Sequence, residues 1–176
     1  MSGEVTGRAR RAVYPGSFDP PTIAHLAIAV ATLEQCRCDS LTFVLSRAAL
    51  GKEDRSDTVE ARALVLRMLV DDRRFTVEVT STVFIAEIAQ GYDVVVVGAD
   101  KWAQVLDPAW YADETTRDAA VASLPHVALV PRPPHEPLAT RPSAMTVLEL
   151  ADPSLAEVSS TAVRSGRVEW AARPLW

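Results

Sequence analysis

Cysteine, histidine and long apolar runs are all scarce in this sequence. Two cysteines and three histidines in 176 residues are too few for a disulfide framework. Cys36 and Cys38 lie one residue apart with no Cys/His cluster near them in sequence. They read as structural thiols, and no protein-held metal is expected. No apolar run approaches the roughly 20 residues that a helix needs to cross a bilayer. The opening MSGEVTGRARR is polar and lacks the apolar segment of a secretory signal. Basic charge is not in excess either: the formal net charge is −5. That argues against nucleic-acid and membrane-surface partners, which are met by a basic field. A nucleotide remains a reasonable ligand, since a few fixed donors bind it locally. The expectation is a soluble, cytoplasmic protein. Its oligomeric state is left open, a homo-oligomer included.

What is present is ordinary globular composition, with 48% hydrophobic and 23% charged residues. The length suits one domain over residues 1–176, with 1–10 as a flexible N-terminal segment. Short β-rich runs alternate with helical patterns. Strands are expected at 11–14, 41–45 (LTFVL), 75–79 (FTVEV), within 93–100 (DVVVVGAD), at 126–130 (HVALV) and at 146–150 (TVLEL). Four consecutive valines suit a central strand covered on both faces.

Between the strands, Leu26, Ala29, Val30 and Leu33 recur at i, i+3, i+4, i+7, one face of a helix. Asp57 with Glu60 resembles a capping pair. Behind it Ala61, Leu64, Val65, Met68 and Leu69 form an apolar stripe. A short helix is expected over 83–89 and a helix start at SSTAVRSGR. The alternation implies right-handed βαβ units. The fold class is therefore α/β: a Rossmann-like, doubly wound sheet of about five mainly parallel strands with helices on both faces. Ligands in such sheets bind beyond the carboxyl ends of the strands, where the strand order reverses.

The stretch VYPGSFDPPTIAHLAIA, residues 13–29, follows the first strand. Gly16 permits a tight turn, Ser17 offers a hydroxyl and an N–H, and Pro20 and Pro21 stiffen the loop. Thr22 is a plausible N-cap, which puts His25 in the first helical turn. A helix start favours a phosphate, and a histidine there adds a donor. A capped helix whose histidine merely packs fits the same residues.

The wording GSFDPPTIAH resembles the signature of the nucleotidyltransferase superfamily with the His/Thr-x-Gly-His motif. That superfamily includes phosphopantetheine, nicotinate and nicotinamide mononucleotide adenylyltransferases and the cytidylyltransferases. Thr22 takes the first motif position and His25 the last, while Ala24 stands where glycine is usual. VSSTAVR, residues 158–164, resembles the family's Ile-Ser-Ser-Thr-x-Ile-Arg segment. VVVVGADKWAQVLDPAWY, residues 94–111, resembles the Gly-x-Asp and Leu-Pro-x-Trp elements of the mononucleotide adenylyltransferases. The usual Pro-Pro-His-Lys and Ser-Tyr-Thr wordings are missing.

The resemblance implies Thr22, His25 and Lys52 as catalytic residues. It implies Gly16, Ser17, Phe18, His25, Gly98, Asp100, Ser159, Ser160, Thr161 and Arg164 around the nucleotide, and Trp110 and Trp102 at the acceptor. Arg47 and Arg132 match family cations only loosely. The implied partners are ATP, with Mg²⁺ carried on it, and a small phosphorylated acceptor, a pyridine mononucleotide. The same fold also runs cytidylyl transfer and adenylyl transfer to phosphopantetheine, and a nucleotide-binding module without turnover stays open.

Overall fold

The computed structural model describes residues 8–48, 58–132 and 144–173. The strands are β1 (Arg11–Pro15), β2 (Ser40–Ser46), β3 (Phe75–Thr80), β4 (Val94–Gly98), β5 (His126–Val130) and β6 (Met145–Val147). The helices are α1 (Ile23–Gln35), α2 (Val59–Leu69), α3 (Ile85–Ile88), α4 (Ala99–Leu106), α5 (Glu114–Ala122) and α6 (Ser160–Arg164). The strands make one sheet in the order β3-β2-β1-β4-β5-β6, and every pairing is parallel. The sheet thus has six strands rather than about five. The last is shorter than expected, pairing with β5 through Val127–Met145 to Leu129–Val147.

This order is the doubly wound one, with its reversal between β1 and β4. The valines of β4 show how both faces are filled. Val94 and Val96 enter one core cluster, with Ile28, Leu33 and Leu66 from α1 and α2. Val95 and Val97 enter the other, with Trp102 and Val105 from α4. A period of two on a strand covered on both sides therefore reads as an unbroken apolar run. Both cysteines are free and buried.

Helix α2 departs from expectation in the face it buries. Val59, Arg62, Ala63, Leu66 and Leu69 face the sheet. Of the predicted stripe, Ala61, Leu64, Val65 and Met68 face outward, with Leu64 58% and Met68 65% exposed. Two apolar stripes about 100° apart compete on this helix. The charge of Arg62 disguised the one that packs, because its guanidinium is stabilised by backbone carbonyls inside the fold. The cap also differs: Thr58 Oγ1 accepts from Ala61 N–H at 3.2 Å. Asp57 lies outside the described residues.

Candidate active site

The first strand hands over to α1 through a tight loop over residues 16–22. Gly16 N–H donates to Val44 carbonyl at 3.0 Å, extending the β1–β2 ladder by one residue. The chain then doubles back through Phe18 at φ +45°. A Cβ on Gly16 would lie 2.6 Å from Phe18 Cζ, so the turn needs a glycine there. Phe18 is 1% exposed and packs in the core cluster beneath α1. Its ring edge meets His25 with centroids 5.0 Å apart.

Thr22 caps α1. Its Oγ1 accepts from His25 N–H at 3.4 Å, and its own N–H donates to His25 Nδ1 at 2.9 Å. This is a capping box with histidine in the place of the usual Glu or Gln. Because Nδ1 accepts a backbone N–H, the neutral ring carries its proton on Nε2. Nε2–H is the group suited to an anion.

The second motif lies directly on this loop. Ser159 caps α6, accepting from Ala162 N–H at 3.2 Å. Ser160 Oγ donates to the Pro20 carbonyl at 2.8 Å. The Arg164 guanidinium donates to the Asp19 carbonyl, and lies 3.8 Å from the Asp19 carboxylate and 3.3 Å from Thr161 Oγ1. Asp19 is 3% exposed. After α6 the chain crosses back, bridging Thr22 with Ala171. Two further guanidinium groups brace the same corner. Arg62, 3% exposed, donates to the Ser17 carbonyl and to the Thr58 carbonyl. Arg132 donates to the Val158 carbonyl at 3.2 Å.

Across the reversal point, Gly98 ends β4 and Asp100 folds back against it. A Cβ on Gly98 would stand 2.7 Å from Asp100 Oδ1. Tyr14, packed against Phe18, His25 and Phe43, is buried, and burial pushes its pKa far up. Arg132 opposes that shift and Asp100 adds to it. Tyr14 is therefore a neutral hydroxyl at this point of the fold.

An open cavity, with about 760 Å³ of empty space partly continuous with solvent, adjoins the loop. Gly16 and Ser17 line it on the strand side, and Phe84, Lys101, Gln104 and Trp110 on the helix side. Trp110 is half-buried in a 3-10 turn, Pro108–Trp110, whose cap Asp107 accepts from Ala109 N–H at 2.9 Å. Trp102 is different: 2% exposed, it sits in the core beside Val95 and Val97 and does not line the cavity. Arg47 forms an ion pair with Glu60. Lys52 lies outside the described residues. Arg62, Phe84, Lys101 and Gln104 escaped the sequence reading. The turn after β3 was the available signal for Phe84, since strand carboxyl ends line such sites. An arginine inside a helix gives no comparable signal.

Two motifs at opposite ends of the chain, joined at the reversal point of a doubly wound sheet, decide the family. The chain belongs to the cytidylyltransferase-like family, whose model matches residues 13–166. It is a nucleotidyltransferase. Among solved structures, Plasmodium falciparum nicotinic acid mononucleotide adenylyltransferase complexed with NaAD aligns at a TM-score of 0.62 and 12% identity. The same enzyme complexed with APC aligns at 0.65 and 13% identity. Each alignment covers 89% of this chain and 83% of the other. At those identities the likeness is one of fold. No curated protein matches the sequence.

Within this nucleotidyltransferase, Ala24 is 1% exposed and packs in the core cluster beneath α1. The methyl that replaces the motif glycine is thus covered by protein. Among the described residues, no group of three or more His, Cys, Asp or Glu side chains could hold a metal ion. No described helix is long and apolar enough to cross a membrane. The arrangement of helix start, histidine and nearby guanidinium groups suits an anion, and the aromatic cavity beside it suits a flat ring.

Proposed function

We propose that this protein transfers the adenylyl group of ATP to the phosphate of a pyridine mononucleotide. An acceptor phosphate oxygen forms a bond to the α-phosphorus while the bond from that phosphorus to the bridging oxygen breaks. Pyrophosphate leaves with the electron pair. No enzyme nucleophile is needed, because the attacking oxygen already belongs to a phosphate. Catalysis is then the alignment of two mutually repelling anions and stabilisation of the charge that develops between them.

The roles follow from chemistry and position. His25 donates from Nε2 to the α-phosphate, and Thr22 holds the ring for that task. Gly16, Ser17, Gly98, Asp100 and the Ser159–Thr161 hydroxyls surround the nucleotide; Lys52, outside the described residues, is assigned as a further cation by the sequence resemblance alone. Arg164 and Asp19 hold the loop and α6 together. Trp110 stacks on the acceptor ring. Magnesium in this reading would enter with the nucleotide as part of the substrate and offset charge on its phosphates.

The observation that carries the proposal is the docking of α6 on the loop before His25, beside a cavity that presents Trp110. The test is pyrophosphate release with Mg²⁺ and ATP, or CTP in its place, against four acceptors. These are nicotinate mononucleotide, nicotinamide mononucleotide, phosphopantetheine and FMN. ATP-dependent turnover of either pyridine mononucleotide is expected. Turnover of another acceptor, or with CTP alone, would replace the assignment. Nucleotide binding without turnover of any acceptor would favour a binding module.

A further inference from the structure

We propose that the outer face of α2 is a self-pairing surface, on which a second copy of this chain docks antiparallel about a two-fold axis. No α2 residue lines the cavity that presents Trp110. The pairing therefore stands apart from the choice of acceptor.

Among the described residues, four large apolar side chains are exposed: Leu64, Val65, Met68 and Val168. Three of them fall on α2, where they stand with exposed Ala61 at i, i+3, i+4 and i+7. Side chains at that spacing adjoin one another on a helix, so they make one continuous stripe. The sheet already holds α2 by its other face, through Val59, Ala63, Leu66 and Leu69. Core packing thus leaves the second stripe without a purpose. Single exposed apolar residues are ordinary, whereas a contiguous set marks a surface that meets a partner.

The charges beside the stripe name the occupant. Glu60 and Arg67, both exposed, are seven residues apart and so run along the same border of it. A two-fold axis perpendicular to α2 turns the second helix end for end and keeps both charged borders on one side. Glu60 then meets the partner's Arg67, and Arg67 meets the partner's Glu60. A parallel pair would put the two borders on opposite sides and leave the charges unmatched. The antiparallel operation also lays the long Met68 over the partner's small Ala61, with Leu64 and Val65 at the centre. Shape and charge agree on one arrangement, the self-complementary kind that a two-fold requires.

Within the chain, Glu60 accepts from Arg47, and Arg67 donates to the Val77 carbonyl at 3.1 Å. These contacts hold both side chains at the border of the stripe. A carboxylate has two acceptor oxygens and a guanidinium five donors, so each can serve a second partner. One stripe of four side chains lies below the roughly 1,200 Å² that a permanent interface buries. The pair is therefore a weak one that forms with concentration.

The test is sedimentation of the whole chain between about 1 μM and 1 mM, the range of weak complexes. The mass is expected to rise from one chain, 19.1 kDa, towards two. Leu64→Glu and Met68→Glu, each at an exposed position, should hold it at one chain while thermal unfolding at low concentration stays close to wild type. Glu60→Arg and Arg67→Glu should each raise the dimer Kd by about 10-fold. Mixed in equal amounts, these last two variants should pair again, because each supplies the charges that the other lacks. A wild type that stays at one chain throughout would overturn self-pairing and give the stripe to a different protein. A dimer that survives Leu64→Glu and Met68→Glu would overturn the choice of face. Charge variants that do not recover on mixing would overturn the antiparallel arrangement.

Discussion

The backbone N–H of Thr22 donates to Nδ1 of His25 at 2.9 Å, while His25 N–H donates to Thr22 Oγ1. One histidine thus closes a helix cap with one ring nitrogen and, in the proposed reaction, donates to the α-phosphate with the other. The two roles can be separated. His25→Ala should lower kcat by about 10²-fold or more, the scale of one lost transition-state donor. It should also cost about 1 kcal/mol of stability through the cap. His25→Asn retains a short acceptor for the Thr22 N–H, so thermal unfolding should stay close to wild type while kcat still falls. A near-normal kcat in His25→Ala would remove the histidine from the mechanism.

Arg164 ties α6 to the opening loop through the Asp19 carbonyl and carboxylate. Its side chain is 39% exposed, so solvent screens part of the interaction. Arg164→Met should lower stability by about 1 kcal/mol, roughly 2–4 °C in Tm for a chain of this size. It should also raise KM for the nucleotide. A Tm shift without any kinetic change would make the contact purely structural.

Trp102 and Trp110, both assigned to the acceptor by the sequence resemblance, should part company on substitution. Trp102→Ala empties a core position and should cost about 3–5 kcal/mol, visible in denaturant unfolding. Trp110→Ala should leave the unfolding midpoint nearly unchanged and raise acceptor KM severalfold, through a lost stacking face worth about 1 kcal/mol. Trp110→Phe should recover most of that affinity.

On α2 the buried and exposed faces make a sharp pair. Leu66→Ala should destabilise by about 2–5 kcal/mol, because Leu66 is fully buried. Leu64→Ala, at 58% exposure, should stay within about 0.5 kcal/mol of wild type. Equal costs at both positions would mean that α2 is rotated from the orientation described.

His126 titrates below the usual histidine range, chiefly because it is partly buried and secondarily because Arg10 repels the imidazolium. The folded protein therefore binds its proton less readily than the unfolded chain does. Stability from this group is fully present above the unfolded pKa of about 6.5 and is lost as pH falls through the folded value. Unfolding followed between pH 7.5 and 5 should show that acid-side loss, and it should be smaller in His126→Gln. The ring Nε2 lies 2.8 Å from Thr146 Oγ1, a contact that glutamine can reproduce. An NMR pKa at or above 6.5 for His126 would contradict the assignment.

Much of this was legible because it is written locally. The β4 valines, the glycine after β1, the Thr22 cap and the SSTAVR helix start each depend on neighbours a few residues away. The capping box is an instructive middle case. Thr22 and His25 stood at the right spacing, but the histidine's role as the returning acceptor appears only in the folded structure. The face of α2 was misread because Arg62 broke the stripe that packs. A buried guanidinium becomes tolerable only when the fold delivers carbonyls from Ser17 and Thr58.

By itself the sequence determined the alternation of strands and helices, the turn chemistry at the strand ends and the two motifs that mark the chemistry. Hydrophobic period and backbone conformational preference act over a few residues, so they leave their mark on the chain directly. Tertiary structure alone decided which tryptophan faces the cavity, which stripe of α2 is covered, and that Lys101 shares a wall with Trp110. It also brought Ser160 to Pro20 and Arg164 to Asp19, across 140 and 145 residues. Those contacts depend on the order in which β1 and β4 pair, a balance of burial and hydrogen bonding over the whole sheet that no short window of sequence contains.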